Sequence, residues 1–176
     1  MTVQDFIVHY NYTFMFLHRR YGKEAVVELW KHIEKEFCKD LHEAIREGGL
    51  PGAEKFFYGE NGITARETQD VSHGSTEDTY FERFDRCPSV NEMVARNRER
   101  YPYYCEHCCW LYAPAFREAG FEYEVECGMQ TPEHISDRCM IRAWRLPSPA
   151  GEAGGTADSE PQSAAESAVE AKGERS

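Results

Sequence analysis

The sequence lacks any apolar run near the ~18 residues that a membrane-crossing helix needs, so no membrane span or membrane partner is expected. Positive charge is also scarce: Lys and Arg number 20 against 31 Asp and Glu, for a formal net charge of −11. Nucleic-acid binding calls for a basic face, so no nucleic-acid partner is expected. The first ten residues hold no Lys or Arg and no long apolar stretch. They do not read as a secretory leader, and the expected location is cytoplasmic. A second Cys-x-x-Cys is missing, so no zinc-ribbon or zinc-finger pattern is present.

What remains is a chain of 176 residues, 41% hydrophobic and 13% aromatic, enough to bury the core of one domain. Seven cysteines are spread along it: Cys38, Cys87, Cys105, Cys108, Cys109, Cys127 and Cys139. An odd count without a secretory leader argues against a disulfide framework and raises metal binding or thiol chemistry. Cys38 and Cys127 read as small buried hydrophobes.

Composition divides the chain at residue 146. From Pro147 to Ser176 it is Ala, Gly, Ser, Glu and Pro with no aromatic, and carries six acids against two bases. Such a segment cannot bury enough surface to offset its ordering entropy, so a disordered acidic tail is expected. Residues 1–146 read as one α+β domain, with a helical part at 1–50 and a part carrying strands and cysteines at 51–146.

Val3, Phe6, Ile7, Tyr10, Phe14, Leu17 and Tyr21 recur at three-four spacing, which predicts a first helix, with Thr2 as its cap. Gly22 breaks it. Val26, Trp30, Ile33, Phe37, Leu41 and Ile45 predict a second helix, stopped by the run from Gly48 to Gly52. The aromatics read as core. His9, His18, His32 and His42 have no partners at ligand spacing and read as ordinary surface or capped histidines.

A short helix is possible over 53–58. Ile63 to Val71 and Thr79 to Arg86 read as strands, with a turn at Ser72, His73 and Gly74 between them. Pro88 favours an extended Cys87 and a helix start just after it, over Ser89 to Arg100. Tyr104 to Ala113 predicts a helix and Pro114 to Ala119 a second short one. Phe121 to Cys127 alternates strictly and is the clearest strand; Arg138 to Arg145 closes a small, mostly antiparallel sheet with interleaved helices.

Three spots carry chemistry. Cys87 stands where a strand meets a helix, and a thiol at a helix N-terminus can have a lowered pKa. Cys105 and Cys108 are one helical turn apart, and Cys-x-x-Cys is either a metal half-site or a redox pair; His107 and Cys109 add soft donors beside them. Cys139 opens the last strand, after His134 and Asp137. If the strand ends and the helix converge, Cys87, Cys105, Cys108 and Cys139 could hold a zinc or iron ion.

Arg86-Cys87-Pro88 after an aromatic strand, Tyr104-Cys105 with Cys108, a loop with Thr131, then Asp137 to Arg142 in a closing strand resemble the L-2-amino-thiazoline-4-carboxylic acid hydrolase family. The resemblance covers roughly residues 75–145. Its pattern places family cysteines on Cys87, Cys105 and Cys139. The chain departs from it twice, with Cys108 and Met140 where the family has Asp. The first departure removes a candidate acid/base carboxylate and adds a soft ligand. The resemblance implies a hydrolase that opens a cyclic C–N bond in a small molecule. Cys105 or Cys87 would be nucleophile, Cys139 would belong to the same site, and Arg86 or Arg138 would hold a substrate carboxylate. Glu106 or Asp137 would serve as base. A non-catalytic metal protein and a small-ligand-binding module stay open beside the hydrolase. The sequence leaves the oligomeric state open.

Overall fold

The computed structural model of the chain describes residues 3–60, 71–96, 98–127 and 138–146. Three helices come first: α1 (Val3–Tyr21), α2 (Lys23–Phe37) and α3 (Lys39–Tyr58). Strands β1 (Val71–Ser75) and β2 (Thr79–Phe84) follow, then α4 (Pro88–Ala95) and α5 (Glu106–Glu118), then β3 (Phe121–Cys127) and β4 (Cys139–Arg145). The strands form one sheet in the order β1-β2-β4-β3, and each neighbouring pair is antiparallel. The fold is therefore α+β. Among the described residues, no helix is long and apolar enough to cross a membrane. The expected acidic tail, 147–176, lies outside the described residues.

Two apolar cores share α5. One holds Leu41, Ile45 and Phe57 of α3 against Tyr80, Phe116 and Tyr123. The other holds Phe14, Val26 and Trp30 of the first two helices against Met93, Tyr101 and Leu111. This division corrects the second expected helix. The chain breaks at Cys38 (φ −97°, ψ 12°), so α2 ends at Phe37 and α3 starts at Lys39. A single straight helix would keep Val26 and Trp30 in line with Leu41 and Ile45, and the break lets the two pairs face different cores. The break also leaves Phe37 on the surface, 76% exposed.

The run from Gly48 to Gly52 turns the chain without ending the helix. Only Gly49 leaves helical geometry, at φ 61° and ψ −149°, a region that favours glycine. Pro51 then sits in the first turn of the resumed helix, where a missing amide costs little. Pro114 likewise lies inside α5 and does not start a new helix. Leu111, Ala113, Ala115 and Phe116 are all buried around it, and that burial outweighs the lost hydrogen bond. The helix expected over Ser89 to Arg100 starts at Pro88 and ends at Ala95.

The expected turn at Ser72, His73 and Gly74 is strand β1, and the turn comes later. Thr76 makes it, its Oγ1 accepting from the amides of Asp78 at 3.2 Å and Thr79 at 3.0 Å. Of the strand expected over Ile63 to Val71, residues 63–70 lie outside the described residues, and Val71 opens β1. On α1, the expected face is only partly buried: Phe14 is fully covered, while Phe6 and Tyr21 are exposed. Asn11 is fully buried instead. Its Nδ2 donates to the Glu99 carbonyl at 2.7 Å, and its Oδ1 accepts from the Tyr101 amide at 2.8 Å. This clamp fixes the segment that leads into α5.

Gly52 tests the kink. A Cβ there would stand 2.0 Å from the Ala44 carbonyl oxygen, whereas at Gly48 it would meet nothing within 4 Å. In urea unfolding, Gly52→Ala should cost more than about 2 kcal/mol. Gly48→Ala should be neutral or stabilise by up to about 1 kcal/mol. Equal effects would mean that the halves of α3 do not close on each other as described.

Candidate functional site

Register decides which side chains share the inner face of the sheet. Phe84 pairs with Cys139 and Cys139 with Cys127, so these three form one row. The next row on the same face is Glu82, Ile141 and Val125, and the one after it Tyr80, Ala143 and Tyr123. β2 leaves the cysteine row through Asp85 and Arg86 to Cys87, the extended N-cap residue of α4, with Pro88 behind it.

α5 reaches the same row from above. Gly120, at φ 85°, joins it to β3 and lets the helix lie back along the strand. The 13 residues of α5 span about 20 Å at about 1.5 Å each, and the 7 of β3 span about 23 Å. The N-terminus of α5 therefore meets the end of β3. Cys105, at its N-cap position, and Cys108, one turn on, come to Cys127 and Cys139.

The thiols touch. Cys127 Sγ lies 3.5 Å from Cys139 Sγ. On its other side Cys127 accepts a hydrogen bond from the Cys105 thiol, and the Arg100 guanidinium bonds to Cys105. Cys87, Cys105 and Cys127 are all close enough for their charges to act on Cys108. Cys87, Cys105, Cys108, Cys127 and Cys139 are partly buried free thiols, and Cys109 is exposed.

Crowding sets their protonation. A helix N-terminus lowers a thiol pKa when little else acts on it. At Cys105 the balance goes the other way. The hydrogen bond it donates to Cys127, and then burial, push it well above the ordinary thiol value, and Arg100 offsets only part of this. Burial first, and the neighbouring thiols second, push Cys108 up as well. Cys127 is lowered by accepting from Cys105, but donating to Cys139 and burial leave it raised. Cys105, Cys108 and Cys127 therefore rest as neutral thiols.

One base faces it. His107 Nδ1 bonds to the Tyr104 carbonyl, which can only accept, so the proton is on Nδ1. In the neutral ring this leaves Nε2 as an acceptor, and it lies 3.6 Å from Cys108 Sγ. Burial lowers the His107 pKa and keeps the ring neutral. The arrangement is a thiol, a base and an orienting group in sequence.

A buried acid stands one row away, about 7 Å along the strands. Glu82 is 4% exposed and accepts from the Tyr80 hydroxyl. The Tyr58 hydroxyl is buried nearby without meeting hydrogen-bond geometry. Burial raises the Glu82 pKa, and Tyr80, Tyr58 and His73 offset part of the rise.

The expected residues therefore divide. Cys87, Cys105, Cys108 and Cys139 come to one end of the sheet. They do not make the expected zinc or iron site as they stand. Among the described residues, no group of three or more His, Cys, Asp or Glu side chains is arranged to hold a metal ion. Arg86 and Arg138 are exposed, and Arg100 bonds to the Cys105 thiol. Glu106 pairs with Lys23 at 2.8 Å. Thr131, His134 and Asp137 lie outside the described residues. Cys127, Arg100 and Glu82 were not expected at a site. Glu82 did carry a signal, being the one acid in the inward phase of the alternating strand Thr79–Phe84.

Compared with known proteins, the chain matches no family model, no curated protein and no solved structure. The family resemblance rests on its motifs alone.

Glu82 gives this part of the structure a pH signature. Its folded pKa is raised above the unfolded value of 4.5. Its contribution to stability is thus full below pH 4.5 and is lost as pH rises toward the folded value. Relative to Glu82→Gln, the wild-type chain should weaken through that window by at most about 1.4 kcal/mol per pH unit. Urea unfolding of both proteins from pH 4 upward measures this. A stability difference independent of pH would contradict a raised pKa.

Proposed function

We propose that the protein is a small-molecule hydrolase acting on a cyclic C–N bond through the cysteine-lined end of its sheet. The observation that supports this best is His107 Nε2, an oriented acceptor 3.6 Å from the Cys108 thiol. The motif resemblance supplies the substrate class: a five-membered cyclic amidine carrying a carboxylate, such as 2-aminothiazoline-4-carboxylate.

In this reading His107 takes the Cys108 proton as the sulfur adds to the amidine carbon. The ring C–N bond breaks, and the released nitrogen takes that proton. Water then adds at the same carbon, the C–S bond to the enzyme breaks, and the thiol recovers a proton. One water is consumed, and a carbamoyl cysteine is the product. General-base help of this kind is worth about 10²–10⁴-fold. Arg100, beside Cys105, is the cation placed for the substrate carboxylate. Cys105 and Cys139 line the site, with Cys87 behind them. Cys108 thus takes the nucleophile's place, which the family pattern gives to Cys105 or Cys87. No step passes through a metal ion, because the donor set for one is not arranged among the described residues.

Turnover of 2-aminothiazoline-4-carboxylate to carbamoyl cysteine, followed by mass spectrometry, tests the reading. Cys108→Ser should abolish turnover, and His107→Asn should lower kcat by about 10²-fold or more. Because burial lowers the His107 pKa from 6.5, the acid limb of kcat/KM should fall below pH 6.5. Loss of turnover in Cys105→Ser alone would move the nucleophile to Cys105. Full turnover in both cysteine variants would overturn the thiol mechanism.

A further inference from the structure

One thiol pair in contact belongs to no step of the proposed hydrolysis. Cys127 and Cys139 are direct partners in the β3–β4 ladder, on the same face, with Sγ atoms 3.5 Å apart. Directly opposed residues of an antiparallel pair have Cα atoms about 4.5–5.5 Å apart. A disulfide needs about 4.4–6.8 Å. The backbone therefore already has the spacing of the bridged state, and only side-chain rotation separates the two sulfurs from bonding distance. Both thiols are partly exposed, so a small reagent can reach them. A third thiol, Cys105, is held against Cys127.

We propose that Cys127 and Cys139 form a reversible cross-strand disulfide, made and broken by exchange with a low-molecular-weight disulfide. This holds whether or not the hydrolase reading does. The exchange has two steps. Cys139 gives up its proton, and its sulfur attacks one sulfur of the small disulfide, forming a mixed disulfide and expelling one small thiolate. Cys127 then gives up its proton, and its sulfur attacks the Cys139 sulfur, forming the cross-strand bond and expelling the second thiolate. The protein loses two electrons and two protons, and the small disulfide becomes two thiols. The elevated thiol pKa of Cys127 makes exchange slow at neutral pH and faster as pH rises.

The test uses the full reduced chain, equilibrated without oxygen against glutathione at a series of oxidised-to-reduced ratios, then acid-quenched and alkylated. The expected product has lost two hydrogens, with five thiols still open to alkylation. Cleavage after Arg117, Arg138 and Arg142 puts Cys127 in peptide 118–138 and Cys139 in peptide 139–142. These two peptides should be linked. A link from either to peptide 101–117, which holds Cys105, Cys108 and Cys109, would overturn the proposal. So would glutathione adducts that never resolve into an internal bond. Cys139→Ser should retain one glutathione in place of losing two hydrogens. An internal bond forming equally well in that variant would show that the cross-strand pair is not privileged. If that variant does not fold, the wild-type peptide map decides alone. Turnover is not a readout, so failure here and failure of the hydrolase reading remain distinct.

Discussion

Helix α5 lies back along β3, and the chemistry of the sheet end depends on that one placement. Two local features enforce it. Gly120 adopts a positive φ that the reversal needs, and nothing stands within 4 Å of where its Cβ would be, so conformation and not space requires the glycine. The helix is also gripped from both sides. Leu111 packs with Phe14 and Trp30, while Phe116 packs with Tyr80 and Tyr123. With its C-terminal half held between two cores, its N-terminus has one place to go.

The electrostatics follow from that crowding. A lone thiol at a helix start is activated by the helix; several thiols sharing a partly buried space suppress one another. Each hydrogen bond in the line from Cys105 to Cys127 to Cys139 is donated by a protonated sulfur. Removing one proton would leave a charge among apolar walls and neighbouring sulfurs. The cluster therefore needs a base on hand, and the tautomer that the Tyr104 carbonyl imposes on His107 supplies one. Asn11 contributes at a distance, by fixing the backbone at Glu99 and Tyr101 just ahead of Tyr104.

Much of the architecture was legible because its signals are local. Alternation from Phe121 to Cys127 marked a strand, Pro88 marked a helix start, and Gly120 marked a helix end. What failed was set by long-range packing. No residue near Cys38 announces a break; it follows from two cores lying in different directions. The run from Gly48 to Gly52 carries every mark of a stop, yet Leu50, Ala53 and Phe57 have a core to reach, and the helix resumes. The site divides the same way. The four cysteines singled out in the sequence do gather at one end. Cys127 has the pattern of a core residue and is one by direction, facing inward with Tyr123 and Val125. Its position in the last row makes it a neighbour of Cys139, and only the register fixes that. Arg86 and Arg138 stand out by flanking cysteines in sequence, whereas Arg100, further from any cysteine along the chain, is found only by its bond to Cys105 in space.

The chemistry proposed for the sheet end rests on neutral thiols at Cys105, Cys108 and Cys127, served by a neutral imidazole. The most direct test is an ultraviolet titration of thiolate formation in the reduced chain, with each of Cys105, Cys108 and Cys127 replaced in turn to assign the steps. The account predicts that none of these three is ionised at neutral pH, and that each ionises above the ordinary thiol value of about 8.5. A thiolate already standing at Cys105 or Cys108 at neutral pH would contradict it. It would return the site to a nucleophile activated by the helix N-terminus and Arg100, without need of His107.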